Sequence, residues 1–252
     1  MLVQLLSIIF IGFFAHAAPP QLKVMFVGNS LTGYNNMPGQ FEHHAKASGY
    51  RPHVEEYIAF GQTLEYHLKR IDVLDALSTK KWDVVILQEM STRPVTDPSL
   101  FERDVAAFKV QIRKNPKNRR AKIILFQNWP LKGVDTVDVL NSVYEDTAAK
   151  TGTQVAPIGR AIDDARTNLN VELYLDDRHP AAIASYLGAA VLLKTIYGLP
   201  ADPLSHEGSK TMTSGTTSGT LEPQTFYDLD TEVGWTVVEE IQKVVDRTSV
   251  AP

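Results

Sequence analysis

Residues 23–36 read KVMFVGNSLTGYNN. Four apolar residues, Val24, Met25, Phe26 and Val27, give way at once to Gly28-Asn29-Ser30, and a second glycine and two asparagines follow. A short unbroken apolar run closed by glycine is the pattern of a strand buried on both faces, as parallel strands are. The polar residues after it belong to a strand-to-helix turn, where backbone N–H groups point outward. Ser30 has two readings there: a cap for the next helix, or a nucleophile held at the strand end. The turn alone favours the cap.

Strand-like runs recur at 53–59, 83–87, 122–126 and 154–157. Between them lie stretches predicted as helices at 37–48, 63–77, 98–114, 135–151 and 159–169, with another at 180–197. In 98–114 the apolar positions follow helical spacing only in part, so that boundary is soft. Alternation with short connections predicts an α/β fold: a three-layer α/β/α sandwich of about five parallel strands, spanning 22–200. Ligands of such sheets bind beyond the carboxyl ends of the strands. That edge collects Gly28-Asn29-Ser30, Gly61, Gln88-Glu89 and Gln127-Asn128-Trp129. Tyr34, Asn35, Gln62, Arg93 and Trp129 fall in loops at the same edge, as pocket wall or as packing.

The 252 residues, 44% of them hydrophobic, suffice for one buried core. A net charge of −4 offers no footprint for nucleic acid and no polybasic patch for a membrane. The cluster Lys114, Lys117, Arg119, Arg120 and Lys122 reads as a solvated helix end. Residues 2–14 are apolar but too short to span a bilayer, and Ala15-His16-Ala17 has the small-residue pattern of a cleavage site. A secretory signal over 1–17 is therefore expected, giving a secreted or periplasmic protein with no stable membrane insertion after cleavage; the alternative is a retained anchor. Cysteine is absent, which excludes disulfides, thiolate metal sites, a Cys nucleophile and a lipoprotein anchor. Residues 201–222, rich in Ser, Thr and Gly, are predicted as a flexible loop. In 223–252, Val233, Val237, Ile241 and Val244 or Val245 fall at helical spacing. This extension is expected to pack back on the domain, or to serve as a separate interaction helix.

A serine nucleophile needs a base. In LYLDDRHP (173–180), Asp176 and His179 stand three residues apart, just before a helix opened by Pro180. A carboxylate at that spacing can reach the imidazole, fix its tautomer and leave the other ring nitrogen for a serine. Asp177 is the alternative orienting acid. A metal reading of Asp176, Asp177 and His179 lacks a second ligand cluster. His43, His44, His53, His67 and His206 have no such partner and read as surface or packing residues.

The ordered set FVGNSLT with a following Asn, Gly61 in IAFGQTLEYHL, DVVILQEMS and DDRHPAAIASYLGA resembles the SGNH/GDSL hydrolase superfamily over about residues 22–198. GNS and LQE are similar to a branch of exported bacterial SGNH proteins. The resemblance implies a flavodoxin-like α/β/α sandwich that requires neither metal nor organic cofactor. It implies Ser30 as nucleophile, Asp176 and His179 as the rest of a triad, and the N–H groups of Ser30 and Gly61 as oxyanion donors. The family's Gly-x-Asn-Asp block is here Leu87-Gln88-Glu89, which departs from the pattern. By analogy with the Gln-Gly-Glu motif of carbohydrate O-acetylesterases, Gln88 is expected as third donor, with Asn128 in reserve. Asn29 is expected to brace the nucleophile turn and Glu89 to hold Gln88 or its loop. Asn29, Glu89 and Asn128 are also candidates for touching substrate. The implied reaction is hydrolysis of an acyl ester, on a small molecule or a carbohydrate, through an acyl-enzyme. An inactive binding protein of the same fold, or a thioesterase or phosphodiester hydrolase using the same site, are the other readings.

Overall fold

The computed structural model describes residues 21–198, 207–209, 215–216 and 226–250. The expected signal segment and most of the Ser/Thr/Gly-rich stretch lie outside the described residues.

Five parallel strands, β1 (Lys23–Gly28), β2 (His53–Ile58), β3 (Val84–Leu87), β4 (Lys122–Phe126) and β5 (Gln154–Ala156), stand in the order β5-β4-β3-β1-β2. Their side chains alternate across the sheet, and both faces are apolar. Val24, Phe26, Val84, Ile86, Ile124 and Phe126 enter one core, while Met25, Val27, Val85, Leu87, Ile123 and Leu125 enter the other. A sheet with two apolar faces must be covered twice. The first core is covered by α2 (Met37–Ala47), α8 (Ile158–Asn168), α9 (Ala182–Tyr197) and α11 (Trp235–Arg247). The second is covered by α3 (Leu64–His67), α4 (Ile71–Thr79), α6 (Pro98–Lys114) and α7 (Val137–Thr151). The expected three layers and five parallel strands are thus present. Short α1 (Ser30–Gly33), α5 (Arg93–Thr96) and α10 (Leu229–Val233) complete the helices.

Near the C-terminus, β6 (Glu207–Ser209) pairs antiparallel with β8 (Phe226–Asp228). Strand β7 (Gly215–Thr216) adds antiparallel to the outer edge of β2, a sixth strand not foreseen. In α11, Val238, Ile241, Val244 and Val245 are buried against the core, so the C-terminal helix packs back on the domain. No described helix is long and apolar enough to cross a membrane. Lys114, Lys117, Arg119, Arg120 and Lys122 are exposed, at the end of α6 and the start of β4.

The helix predicted over 63–77 is two helices, α3 and α4, parted at Arg70, whose backbone is extended (φ −79°, ψ 125°). The guanidinium of Arg70 donates to both carboxylate oxygens of Asp72 (3.1 and 2.7 Å) and to the Ile58 carbonyl (3.4 Å). This clasp fixes the break against an apolar spacing that would continue.

The strand order turns back at β1, with β2 on one side and β3 on the other. Such a switch point opens a crevice at the carboxyl edge. Ser30 follows β1 after a single residue and so stands in the middle of that edge.

Candidate active site

At the end of β1 the capping role belongs to Asn29, not Ser30. The Asn29 side-chain oxygen accepts from Leu31 N (3.2 Å), and its amide donates to the Gln62 carbonyl (2.9 Å). Ser30 is the first residue of α1, and its hydroxyl is left for another partner. The turn is close-packed behind it. A Cβ on Gly28 would stand 2.7 Å from Thr32 Oγ1 and 2.8 Å from Gln88 Oε1. His67, fully buried, donates from Nε2 to the Gly28 carbonyl (2.9 Å), and burial lowers its pKa to about 4. His67 is thus a neutral clamp under the turn.

The partner of Ser30 is His179. Its Nε2 lies 3.0 Å from Ser30 Oγ, and its Nδ1 lies 2.7 Å from Asp176 Oδ2. Asp176 Oδ1 accepts from the backbone N–H groups of Arg178 (2.9 Å) and His179 (2.8 Å). Hydrogen bonds from His179, first through its side chain, hold the Asp176 carboxyl well below the usual carboxylate range. The carboxylate is therefore charged and fixed, which selects the tautomer with the proton on Nδ1 and a lone pair on Nε2. Asp177, the alternative acid, is taken by Arg178 in a two-pronged ion pair (2.9 and 2.6 Å). Three residues from two distant parts of the chain so form one proton path.

A cleft of about 620 Å³ opens over Ser30, lined by Tyr34, Phe60, Gly61, Met90, Ser91 and His179 among others. Gly61 has φ +72°, a left-handed conformation suited to glycine, and lines the cleft. Among the described residues, the N–H groups of Ser30 and Gly61 have no hydrogen-bond acceptor.

Gln88, expected as the third donor, does not line the cleft. It is 1% exposed, and its carbonyl oxygen accepts from Asn29 N (2.8 Å) and Thr32 Oγ1 (3.1 Å). Its amide donates to the Glu89 carbonyl and to Asn128 Oδ1 (3.3 Å), so no N–H remains for an oxyanion. Asn128, the reserve, is likewise buried, its amide donating to the carbonyls of Glu89, Met90 and Ser91 (3.0, 3.2 and 3.4 Å). Glu89, a candidate wall residue, is also buried. One oxygen accepts from Leu64 N (3.2 Å) and Met90 N (2.7 Å), and burial raises its pKa to about 7. The three side chains tie the loops together from behind, Gln88 the nucleophile turn, Glu89 the start of α3 and Asn128 the loop after β3. Asn29 alone of the candidate contact residues borders the cleft. A brace and a cleft-facing donor differ in stability. Gln88→Leu leaves the Asn29 N–H and the side-chain Oδ1 of Asn128 buried without partners, and is expected to lower unfolding free energy by about 2 kcal/mol or more. An unchanged denaturation midpoint would count against the brace.

Of the other loop residues, Tyr34 borders the cleft, Arg93 is buried in ion pairs with Glu65 and Asp104, and Trp129 donates to the Arg178 carbonyl (2.9 Å). Phe60, Met90, Ser91 and Thr92 line the cleft without having been foreseen. Phe60 adjoins Gly61 and the other three follow Glu89, so proximity to those motifs was the available signal. A second cavity, about 690 Å³, lies beside β5 between Thr153, Arg160 and Val250. Its lining contains no hydroxyl paired with a histidine, as Ser30 and His179 are paired in the first cleft. Among the described residues no three His, Asp or Glu side chains gather as a metal-ligand set.

Among solved structures the chain is similar to a protein from Slackia heliotrinireducens provisionally assigned as an SGNH hydrolase, with 26% identity and a TM-score of 0.56, over 70% of this chain and 100% of that one. It shares its fold with a DUF4886 family protein from Bacteroides uniformis (15% identity, TM-score 0.70, 90% and 94% covered). The same holds for Axe2, an acetylxylan esterase from Geobacillus stearothermophilus (18% identity, TM-score 0.52, 69% and 93% covered). No protein-family model and no curated protein matches the sequence. The chain belongs to the SGNH/GDSL hydrolase superfamily.

Proposed function

We propose that the protein is an exported serine esterase that removes a short acyl group, such as acetyl, from a carbohydrate or other hydroxyl-bearing leaving group. The observation that carries the esterase reading is the unbroken chain from Ser30 Oγ to His179 (3.0 Å) and from His179 to Asp176 (2.7 Å). His179 takes the Ser30 proton as Oγ attacks the ester carbonyl, and Asp176 balances the imidazolium that forms. The oxyanion lies against the N–H groups of Ser30 and Gly61. The tetrahedral intermediate collapses as His179 returns its proton to the departing alcohol. Water, activated by the same imidazole, then releases the acid from Ser30. For the leaving group, the Ser91 and Thr92 hydroxyls in the cleft wall have no partner among the described residues and suit a polyol. A structural neighbour named for acetylxylan supports the carbohydrate reading.

A serine-directed fluorophosphonate tests the nucleophile. Wild type is expected to be labelled at Ser30, and Ser30→Ala to be neither labelled nor active on p-nitrophenyl acetate. Failure of wild type to react, or equal labelling of Ser30→Ala, refutes the assignment. A panel of acetylated sugars against simple aryl esters then decides the leaving group.

A further inference from the structure

The three residues after α1, Tyr34-Asn35-Asn36, bring the chain back over the catalytic histidine. Asn35 and Asn36 both hold left-handed backbone (φ 53° and 49°), a conformation asparagine tolerates better than most residues. The turn lays the Tyr34 ring on the imidazole of His179, centroids 4.3 Å apart and planes within 8°. Phe60 stacks on Tyr34 in turn (5.6 Å, 26°). The backbone on both sides of the stack is tied. Asn35 Nδ2 donates to the Pro180 carbonyl and to Ser185 Oγ, each at 2.9 Å, and Gln40 Nε2 donates to the Asn35 carbonyl (2.8 Å). Pro180 directly follows His179, so Asn35 fixes the base loop to the nucleophile loop.

Hydrogen bonds at Nδ1 and Nε2 hold the imidazole at two points on one line. They leave it free to tilt about that line, which would swing the Nε2 lone pair away from Ser30. A flat ring pressed against the imidazole face removes that freedom. The face of a tyrosine also attracts a cation within about 6 Å, and the imidazole becomes a cation in each half of the reaction.

We infer that Tyr34 is a positioning residue for His179, its ring holding the imidazole plane between Asp176 and Ser30 and facing the imidazolium as it forms. The inference rests on the esterase reading above. It acts through the aromatic face, since the Tyr34 hydroxyl has no partner among the described residues.

The test compares Tyr34→Phe and Tyr34→Leu for kcat and KM on one ester, and for the rate of fluorophosphonate labelling. Tyr34→Phe is expected to behave as wild type. Tyr34→Leu is expected to lose about 10- to 100-fold in kcat and in labelling rate, the scale of a misplaced catalytic group, with KM little changed. Tyr34→Met takes its place if Tyr34→Leu does not fold. Wild-type labelling and turnover in the non-aromatic variant, a loss confined to KM, or an equal loss in Tyr34→Phe each overturn the role. A wild-type protein that is never labelled removes the esterase reading itself, whereas a labelled wild type with an equally fast Tyr34→Leu removes only the role of Tyr34.

Discussion

Asp176→Asn is expected to lower kcat/KM by about 1,000- to 10,000-fold while leaving the protein folded, the range seen when a triad carboxylate becomes an amide. The reason lies in what surrounds the carboxylate. One oxygen accepts two backbone N–H groups, from Arg178 and His179, and the other accepts His179 Nδ1. An asparagine can serve the backbone pair only with its carbonyl oxygen. Its NH2 group then faces Nδ1, which must become an acceptor, and the ring proton moves to Nε2. A histidine in that tautomer cannot take the proton of Ser30. Asp177→Asn is the control, since its carboxylate serves only Arg178. Near-wild-type activity in Asp177→Asn beside the loss in Asp176→Asn assigns the acid. A kcat/KM for Asp176→Asn within about tenfold of wild type would mean that the orienting bond does not set the rate.

The largest effect on folding is expected at Gly159, in the first turn of α8. A Cβ there would stand 2.0 Å from the Asn128 carbonyl oxygen and 2.8 Å from its carbon, both backbone atoms that cannot swing aside. Gly159 N also donates to the Gln127 carbonyl (3.1 Å), so α8 and the end of β4 touch main chain to main chain. Gly159→Ala is expected to lower stability by about 3 kcal/mol or more. For a chain of this size that is a melting shift of roughly 6 °C or more. Gly188→Ala makes the contrast. Its added methyl meets the end of the flexible Met37 side chain (2.8 and 3.0 Å) and touches Ile158 Cγ2 at 3.4 Å, side-chain atoms rather than backbone, and the expected loss is about 1 kcal/mol. Equal melting temperatures for the two variants would show that α8 can withdraw from β4 at little cost.

The fold was legible because its strands are apolar on both faces and its connections are short, which leaves few alternatives to a covered parallel sheet. What escaped were features set by single tertiary contacts, such as the break at Arg70, held by Asp72, and the pairing of β7 with β2. In the site, Ser30 and Gly61 could be placed because each follows a strand of the sheet, and Asp176 and His179 because their three-residue spacing stands just before α9. Gln88 was assigned to the right region but the wrong side of its loop. Strand periodicity says which edge a residue occupies, not whether its amide turns toward solvent or back under a neighbouring turn. That choice was made by the N–H of Asn29 and the hydroxyl of Thr32, both of which donate to Gln88 Oε1 and neither of which a reading of Gln88 alone includes. Tyr34 was equally open between packing and pocket, because its neighbour in space, His179, is far off in sequence.

That separation has a consequence for timing. Ser30 and His179 stand 149 positions apart, and every strand of the parallel sheet is made before the base. A nascent chain that has completed β5 already carries the serine, the turn that holds it and Gly61, but nothing to take its proton. On the proposed mechanism, Ser30 stays without its base until the loop at His179 closes and α9 docks on α2. Reactivity toward a serine probe therefore reports that the later part of the chain has arrived and found its place.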